Sequence, residues 1–514
     1  MAAASGYLRQ ADPRGAALAG WWVRQTSGAM ERIPYLPMFL YGLLLGDPRV
    51  EPTPPRKLKL PLTHVMRGLN YVFMRSDYWD RPDATVVAFG NGRYRYRAMP
   101  ANCFALYSRG APLFLCRAHT VFHGYTPPGV VSSNVAVLYK ADRLVPDGLF
   151  LPPETYAKSD FEKVMQVESV PGEYDYMVGH RGRYWGTRVL GHIKTKTRTL
   201  VYLRPKGSGP GEYVVLLDRV ETTDTQIVPH AVFNVVFEPR VGTDWTAPAK
   251  ARLVHPGQWE TDSAACVMVT MDHDFKLKGK VVLKARGRAF LKTLYPKAIR
   301  TLKIGGPKHF MDDITGKGSL THSPCQGFYK WDRARQIEEG GYWRFHVIPK
   351  AHATSHAILN VIEPASSARG KPSGPLELLE GSSVLGVQAG ANVVLFSRQG
   401  QPLERGTVRV VAGTNRLIVA DLFPGARYAL TAGGRSLRPT ASALGTIFAA
   451  DLKLSKGNEI RFVRAGEAPS PPGSRGKRPW RLQPAQPSRR RTAPHGRQRE
   501  NFLKSPFRGP PLPR

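Results

Sequence analysis

Acidic residues are scarce in this sequence. Its 514 residues include 39 Asp or Glu against 74 Lys or Arg, which gives a formal net charge of +35 at pH 7. Such a charge favours polyanionic partners, namely acidic polysaccharide, nucleic acid or an anionic membrane surface. A genome that favours Arg codons would produce the same excess without any partner, so charge alone does not decide between these readings.

Cysteine is equally scarce. Cys103, Cys116, Cys266 and Cys325 are scattered along the chain, and no Cys-x-x-Cys pair occurs. A structural zinc site is therefore not expected. Cys103 and Cys116 flank a predicted hairpin, where they form either a disulfide or two facing thiols in a core. The cysteines leave the redox compartment undetermined.

No long hydrophobic run is present. The most apolar stretch, 33–46, has 14 residues and contains Pro34, Pro37 and Gly42. A membrane-spanning helix needs about 20 apolar residues, so no membrane span is expected. Residues 1–20 lack the continuous apolar core of a signal peptide.

Familiar catalytic templates are also missing. The sequence has no G-x-S-x-G, H-E-x-x-H, G-x-x-x-x-G-K-[ST] or G-x-G-x-x-G. These motifs mark α/β-hydrolases, zinc metalloproteases, P-loop enzymes and Rossmann dinucleotide-binding domains. None of those four chemistries is predicted.

Short apolar runs between turn residues dominate what is there. Gly (50) and Pro (44) are abundant, and runs such as 198–203, 213–220 and 231–237 are rich in Val, Leu, Tyr and Phe. Runs of this kind predict β-strands, and a long series of them is typical of a sandwich. We therefore expect a mainly β protein, with a large antiparallel β-sandwich, a small C-terminal β domain and a short helical N-terminal segment.

Composition divides the chain into six segments. Apolar residues at mixed spacings of three and four predict helix over 16–27 and 32–45. The last 51 residues hold 13 Lys or Arg and 2 Asp or Glu without apolar periodicity, which predicts disorder. The expected organisation is a helical segment at 1–48, a linker at 49–59, a β-sandwich at 60–362, a linker at 363–375, a small β domain at 376–463 and a basic disordered tail at 464–514.

The stretch 71–140 contains an ordered series of short motifs. Ala101, Asn102 and Phe104 form an A-N-x-F segment, Gly110 follows it, and Asn134 opens a later strand. In this order and spacing the stretch resembles the β-sandwich of heparinase II/III-like polysaccharide lyases.

The resemblance continues on both sides and covers about 33–463. Residues 46–48 (Gly-Asp-Pro) resemble the junction that follows the family's N-terminal α/α toroid, and 421–428 resemble its terminal module. The resemblance implies that 1–48 is the remnant of a toroid, most of which is missing from this chain. The family's toroid supplies a Tyr acid/base and an Asn or His that neutralises the uronate, and neither can be placed in this sequence.

Members of this family cleave uronate-containing acidic polysaccharides by β-elimination. A base removes the C5 proton and an acid protonates the leaving oxygen, roles that His and Tyr suit. The heparinase II branch also binds zinc through His and Asp, but the matching positions here are Ala98, Pro100, Cys116 or Arg117, and Ser133. The resemblance thus implies that the zinc site is lost, that no cofactor is needed, and that the protein is periplasmic or extracellular.

Candidate catalytic residues lie between these motif positions. His119, His123 and Tyr125 are the local groups able to act as acid or base, or they are ordinary polar residues at a strand end. His230 and His309 are expected to be structural.

Candidate substrate-binding residues come from two patterns. Arg93, Arg95 and Arg97 alternate with Tyr, so on a strand the three Arg side chains would share one face. That face would contact an acidic sugar, or it would be a solvated strand edge. Asn102 and Asn134 occupy framework positions of the resemblance and are predicted substrate contacts.

Three functions follow from these observations. The first is a protein related to polysaccharide lyases, either active through substituted residues or truncated and inactive. The second is a non-catalytic binder of acidic polysaccharide, and the third is a nucleic-acid binder that acts through the basic tail. The sequence does not determine the glycan or the oligomeric state.

Overall fold

The computed structural model describes fifteen parts of the chain. They are residues 12–30, 50–66, 71–78, 81, 83–90, 102–115, 134, 136–144, 165–181, 192–205, 211–277, 280–306, 309, 314–316 and 343–466. Contacts divide the chain into one compact unit, 1–466, and a second unit, 467–514. The second predicted helix, 32–45, and the predicted tail from residue 467 onward lie outside the described residues.

One helix, α1 (Pro13–Met30), lies within the described residues. Pro13 stands at its first position, where a missing N–H is not costly. The Oδ1 atom of Asp12 accepts a hydrogen bond from the N–H of Gly15 at 2.9 Å and so caps the helix. Ala16 and Ala19 are buried, and the helix agrees with the prediction for 16–27.

Twenty-nine strands, numbered β1–β29 in chain order, form five sheets in the described residues. The N-terminal sheet is a meander of five antiparallel strands in the order β1-β2-β3-β4-β5. Its strands are β1 (Thr63–Met66), β2 (Tyr71–Arg75), β3 (Val86–Gly90), β4 (Cys103–Ser108) and β5 (Ala111–Phe114).

The eight-stranded sheet lies at the centre of the molecule. Its strands are β8 (Met165–Val170), β9 (Tyr174–Arg181), β10 (Ile193–Leu203), β11 (Tyr213–Thr222), β13 (Arg240–Gly242), β16 (Cys266–Leu277), β17 (Lys280–Tyr295) and β20 (Ser355–Ser366). Their spatial order is β13-β16-β17-β20-β11-β10-β9-β8.

The seven-stranded sheet has the order β14-β15-β18-β19-β12-β6-β7. Its strands are β6 (Ala136–Lys140), β7 (Arg143–Leu144), β12 (Ile227–Val235), β14 (Arg252–His255), β15 (Gln258–Asp262), β18 (Ile299–Gly305) and β19 (Trp343–Pro349).

Two further sheets form the C-terminal region. The C-terminal five-stranded sheet contains β21 (Leu376–Glu380), β22 (Val384–Ala389), β23 (Asn392–Ser397), β25 (Arg416–Val419) and β28 (Ile447–Ala449), in that spatial order. The four-stranded sheet contains β24 (Arg405–Arg409), β26 (Tyr428–Ala432), β27 (Arg435–Leu437) and β29 (Glu459–Arg464), in the order β24-β29-β26-β27.

Three apolar cores hold these sheets together. One face of the eight-stranded sheet packs against both the N-terminal and the seven-stranded sheets. Phe104, Phe114 and Phe233 meet in this core with ring centroids 5.8–6.2 Å apart, and each fully buried ring contributes about 1.5–3 kcal/mol. The opposite face packs on the C-terminal five-stranded sheet, which shares a third core with the four-stranded sheet.

The fold class predicted from the sequence is confirmed. The protein is mainly β, with antiparallel sheets stacked as a sandwich and a smaller C-terminal β region. The C-terminal region packs directly on the sandwich: Arg219 pairs with Asp421, and Lys292 with Glu377. The six predicted segment boundaries stay predictions.

Two cysteines lie within the described residues. Cys103 is disulfide-bonded, and its partner falls outside those residues. Cys266 is a free, buried thiol. Burial raises the pKa of Cys266 to about 11, so this thiol stays protonated and unreactive at neutral pH.

Candidate functional site

Most of the predicted site residues fall outside the described parts of the chain. His119, His123 and Tyr125 belong to this group, and so do Arg93, Arg95 and Arg97. Their proposed roles stay predictions. Asn102 and Asn134 are described, and the structure brings both to the same place.

Asn102 and Asn134 meet at a buried ion pair. Arg198 on β10 donates from Nε and Nη2 to the two carboxylate oxygens of Asp218 on β11, each at 2.7 Å. Its third nitrogen, Nη1, donates to the backbone oxygens of Asn102 at 3.0 Å and Asn134 at 2.5 Å. Arg198 also lies 5.8 Å from the centroid of the Phe104 ring. We call these four polar residues the Arg198 network.

Side-chain contacts of Asn134 join two sheets. The Nδ2 atom donates to the backbone oxygen of Phe104 at 2.8 Å, and Oδ1 accepts from the backbone N–H of Asn234 at 2.6 Å. Asn134 is completely buried. The amide therefore fixes strand β12 of the seven-stranded sheet against strand β4 of the N-terminal sheet.

Asn102 has an unusual backbone conformation. Its φ of 65° lies in the left-handed region, which Asn tolerates better than most residues. Its side chain is buried, and within the described residues neither Oδ1 nor Nδ2 has a hydrogen-bond partner. A Cβ atom on Gly179 would lie 2.0 Å from Oδ1 of Asn102, so the side chain needs a glycine beside it.

A second polar cluster lies on the outer face of the seven-stranded sheet. Tyr139, His230, Arg344 and His346 project from β6, β12 and β19, and all are buried. The rings of Tyr139 and His230 stack with centroids 4.2 Å apart. We call this cluster the histidine row. His230, which the sequence predicted to be structural, is buried in this row. No sequence feature pointed to His346.

Hydrogen bonds fix the proton positions in the histidine row. Arg344 Nε donates to His346 Nε2 at 3.2 Å. Since Nε2 accepts, a neutral His346 carries its proton on Nδ1 and donates it to His230 Nδ1, 3.3 Å away. Burial lowers the pKa of both imidazoles well below the usual range. The nearby guanidinium of Arg300 lowers both further, and that of Arg344 acts on His346.

An open pocket lies where the seven-stranded sheet extends past the edge strand β13 of the eight-stranded sheet. Its volume is about 390 Å³, and residues 238–241, 248, 249 and 251 line it together with Trp259, Thr261 and Lys303. Half-buried apolar side chains and charged side chains line this pocket, which is open to solvent. The Arg198 network and the histidine row, by contrast, are buried.

Lys303 lies against a pair of tryptophan rings beside this pocket, and the centroids of the two rings are 5.7 Å apart. Trp259 is its direct partner across β15 and β18, and Trp343 belongs to the next strand, β19. The Nζ atom of Lys303 is 4.9 Å from the centroid of Trp259 and 5.3 Å from that of Trp343, within the range of cation–π contacts. Glu238 pairs with the same Nζ at 2.6 Å. We call Trp259, Lys303 and Trp343 the Trp–Lys pocket.

Sequence reasoning did not find this pocket. Trp259, Lys303 and Trp343 are 40 or more residues apart in sequence, and nothing near any of them points to the other two. The available signal was a tryptophan on each of two strands, β15 and β19, and both tryptophans are half-buried.

Neither a metal-binding group nor a membrane-spanning helix is found among the described residues. They contain no group of three or more His, Cys, Asp or Glu side chains that could hold a metal ion. The positions of the family's zinc ligands fall outside them, so the predicted loss of that site stays a prediction. Among the helices of the same residues, none has the length and apolarity to cross a bilayer.

Comparisons with known proteins return distant structural likenesses. No family model and no curated protein matches the chain. A solved heparinase III shares 10% identity over 66% of this chain and 42% of that enzyme, with a TM-score of 0.38. Heparan sulfate lyase HepC from Pedobacter heparinus shares 11% identity over 73% of this chain and 46% of its own, with a TM-score of 0.37. The chain thus spans less than half of either enzyme.

Proposed function

We propose that this protein binds acidic polysaccharide and that Lys303 contacts the negative charges of the polymer. The observation that carries the proposal is the Lys303 ammonium held against the paired rings of Trp259 and Trp343 beside an open pocket. Indole rings offer a flat apolar surface to a sugar ring, and the ammonium offers a charge to a carboxylate or sulfate. The net charge of +35 attracts such a polymer from a distance.

Retention on immobilised heparin, heparan sulfate, hyaluronan and alginate tests the proposal. We expect Lys303→Gln to elute from at least one polymer at clearly lower salt than the parent protein. Lys194→Gln is the control, because Lys194 on β10 is an exposed lysine paired with Glu221 on β11. If both variants shift equally, retention reflects net charge alone and the pocket has no part in it.

Cleavage of the polymer is a second candidate, favoured by the motif resemblance that Asn102 and Asn134 carry. In this reading His123 and Tyr125 serve as acid and base, with His119 nearby. Ultraviolet absorbance tests it, because β-elimination creates an absorbing unsaturated uronate. A steady rise that disappears in a His123→Ala, Tyr125→Phe double variant would support a lyase, and a flat trace with every polymer would leave binding as the function.

Truncation of the chain tests whether nucleic acid or another polyanion binds through the basic tail. Removal of residues 467–514 leaves the last strand, β29, intact. Under the polysaccharide proposal, the difference in retention between the parent and Lys303→Gln persists in the truncated protein. Loss of all polyanion binding on truncation would instead assign that binding to the tail.

A further inference from the structure

Several arginines in the described part of the chain are paired with carboxylates. Arg204 pairs with Asp175, and Arg369 with Glu363. On strand β17, Arg286 pairs with both Asp272 and Asp274. Arg240 and Arg288 differ from these residues, because neither forms an ion pair within the described part of the chain.

Neutral groups alone bind the guanidinium of Arg240 in the described residues. Its Nη atoms donate to the backbone oxygens of Trp245 and Thr246. The carboxylate of Asp244 in the same loop accepts instead from the backbone and hydroxyl of Thr246. Hydrogen bonds from Thr246 and Ala247, and then the charge of Arg240, lower the pKa of Asp244. Asp244 is therefore near Arg240, but within the described residues no carboxylate oxygen is bonded to the guanidinium.

Arg288 is held in the same way. Its Nε atom donates to the hydroxyl of Thr270 at 2.9 Å, and Nη1 donates to the backbone oxygen of Arg369. Asp272 is nearby, but its oxygens bind Arg286 and Ser367. Burial, with the charge of Arg240 as a second cause, lowers the pKa of Arg288. The charges of Arg240 and Arg288 therefore act on each other unfavourably.

Strand register places both cations on one face. Arg240 on β13 lies opposite Met268 on β16, which lies opposite Phe290 on β17. Arg288 stands two residues before Phe290 and therefore projects to the same side. On other strands of the eight-stranded sheet, this same face packs against the C-terminal five-stranded sheet. Val241, the next residue on β13, points to the opposite face and enters the sandwich core.

An aromatic ring borders the two cations. Trp245 is half-buried and packs edge-on against Phe290, with centroids 5.3 Å apart. Met268 is half-buried between the two arginines. The patch of Arg240, Trp245, Met268, Thr270 and Arg288 thus joins two guanidinium groups that are bonded to no carboxylate in the described residues to an apolar surface, and we call it the Arg240–Arg288 patch.

We propose that the Arg240–Arg288 patch is a second subsite, which binds a sulfate or carboxylate group of an acidic sugar while the sugar ring packs on Trp245. This proposal rests on the proposed function for the polymer as ligand. Arg240 also lines the pocket beside Lys303, whereas Arg288 does not, so Arg288→Gln is the variant that separates the two sites. Guanidinium groups match the planar or tetrahedral oxygens of such anions with paired hydrogen bonds. An anion between the two cations would also remove their mutual repulsion.

Thermal unfolding of the full chain tests the subsite with three probes: inorganic sulfate, a sulfated heparin disaccharide and an unsulfated hyaluronan disaccharide. We expect at least one probe to raise Tm beyond the effect of sodium chloride at equal ionic strength. Arg240→Gln and Arg288→Gln should lose that increase and bind the probe roughly tenfold more weakly. Arg286→Gln, the ion-paired neighbour on the same strand, should keep it.

The ligand-free proteins provide the folding control. Since each substitution removes like-charge repulsion, Arg288→Gln should unfold at a Tm no lower than that of Arg286→Gln. A response to free sulfate equal to that of the disaccharide would identify a simple oxyanion site and overturn the role of Trp245. No probe-specific rise in the parent protein, or an unchanged rise in both variants, would overturn the subsite.

The two proposals fail separately. If Lys303→Gln keeps full polymer retention while Arg288→Gln loses the probe response, the pocket proposal is wrong and the subsite stands. If Lys303→Gln loses retention while Arg240→Gln and Arg288→Gln respond to every probe as the parent does, the subsite is wrong and the pocket stands.

Discussion

Arg198 and Lys303 are both cations next to aromatic rings, but their counter-ions differ in exposure. Asp218, the partner of Arg198, is 3% exposed, whereas Glu238, the partner of Lys303, is 55% exposed. A buried pair such as the first cannot exchange its partner without a large desolvation cost. In the second pair the Lys303 side chain is 17% exposed and the carboxylate of Glu238 is mostly in solvent. An exposed partner of this kind contributes little to stability, and under the proposed function a polyanion replaces Glu238.

This difference separates structural charge from available charge. The Arg198 network joins the segments that carry the A-N-x-F motif and Asn134 to two strands of the eight-stranded sheet. Every guanidinium nitrogen of Arg198 is satisfied there. In the Arg240–Arg288 patch, carbonyls and a hydroxyl hold the two cations. In the Trp–Lys pocket, Lys303 lies against two rings and pairs with an exposed carboxylate, Glu238. Under the two proposals, both sites accept an external anion.

Breaking the buried pair should have the largest effect. Replacement of Arg198 with Met leaves Asp218 as an uncompensated buried charge, and we expect the free energy of unfolding to fall by about 3–5 kcal/mol. Denaturant unfolding measures this. The double variant Arg198→Met, Asp218→Leu should recover much of the loss, because it removes the unpaired charge. Equal stability of the single and double variants would show that the ion pair is not what the structure relies on.

The free energy of unfolding at acid pH should report on the two histidines of the histidine row. Since burial depresses the pKa of His230 and His346 in the folded protein, only the unfolded chain takes up these protons near pH 6.5. The contribution of these two histidines to stability should therefore be constant above that pH and fall below it, by about 1.4 kcal/mol per pH unit for each histidine.

Unfolding free energies between pH 7.5 and 5 measure this slope. His346→Gln should show a shallower decline than the parent protein, whatever its stability at neutral pH. His192→Gln is the control, because His192 is exposed on the surface. A slope unchanged in His346→Gln would contradict a neutral, buried imidazole at that position.

Removing the exposed partner of Lys303 should have the smallest effect on stability and the opposite effect on binding. For Glu238→Gln we expect a change of about 0–1 kcal/mol in unfolding free energy. Because Lys303 is then unpaired in the free protein, the variant should elute from acidic polymers at higher salt. Earlier elution, or elution with the parent, would show that Glu238 does not compete with the polymer.

Some features of the fold could be read from the sequence, and others could not. The helix at α1 follows from the Asp12-Pro13 start and the apolar spacing after it, and β10 and β11 follow from runs of Val, Leu and Tyr. These signals are local. The stacking of the C-terminal sheet on the eight-stranded sheet is not, because Tyr176, Val215 and Phe396 have no sequence feature that pairs them.

The candidate site was harder to predict for the same reason. Asn102 and Asn134 were identified through a motif resemblance, and their backbone oxygens meet at Arg198, 96 and 64 residues away. No resemblance pointed to Lys303 or to Arg288. A lysine opposite a tryptophan is recognisable only once the register of β15 and β18 is known.

The sequence by itself determined the excess of positive charge, the mainly β class and the approximate strand positions, because charge, turn residues and alternation are properties of neighbouring residues. Tertiary structure alone decided which cations are neutralised. Arg198 meets Asp218 and Lys303 meets two tryptophans only through strand pairing, and Arg240 and Arg288 share one face only through the register of β13, β16 and β17. The function proposed for this protein depends on those long-range pairings, since an arginine in a sequence carries the same charge whether or not a carboxylate lies beside it.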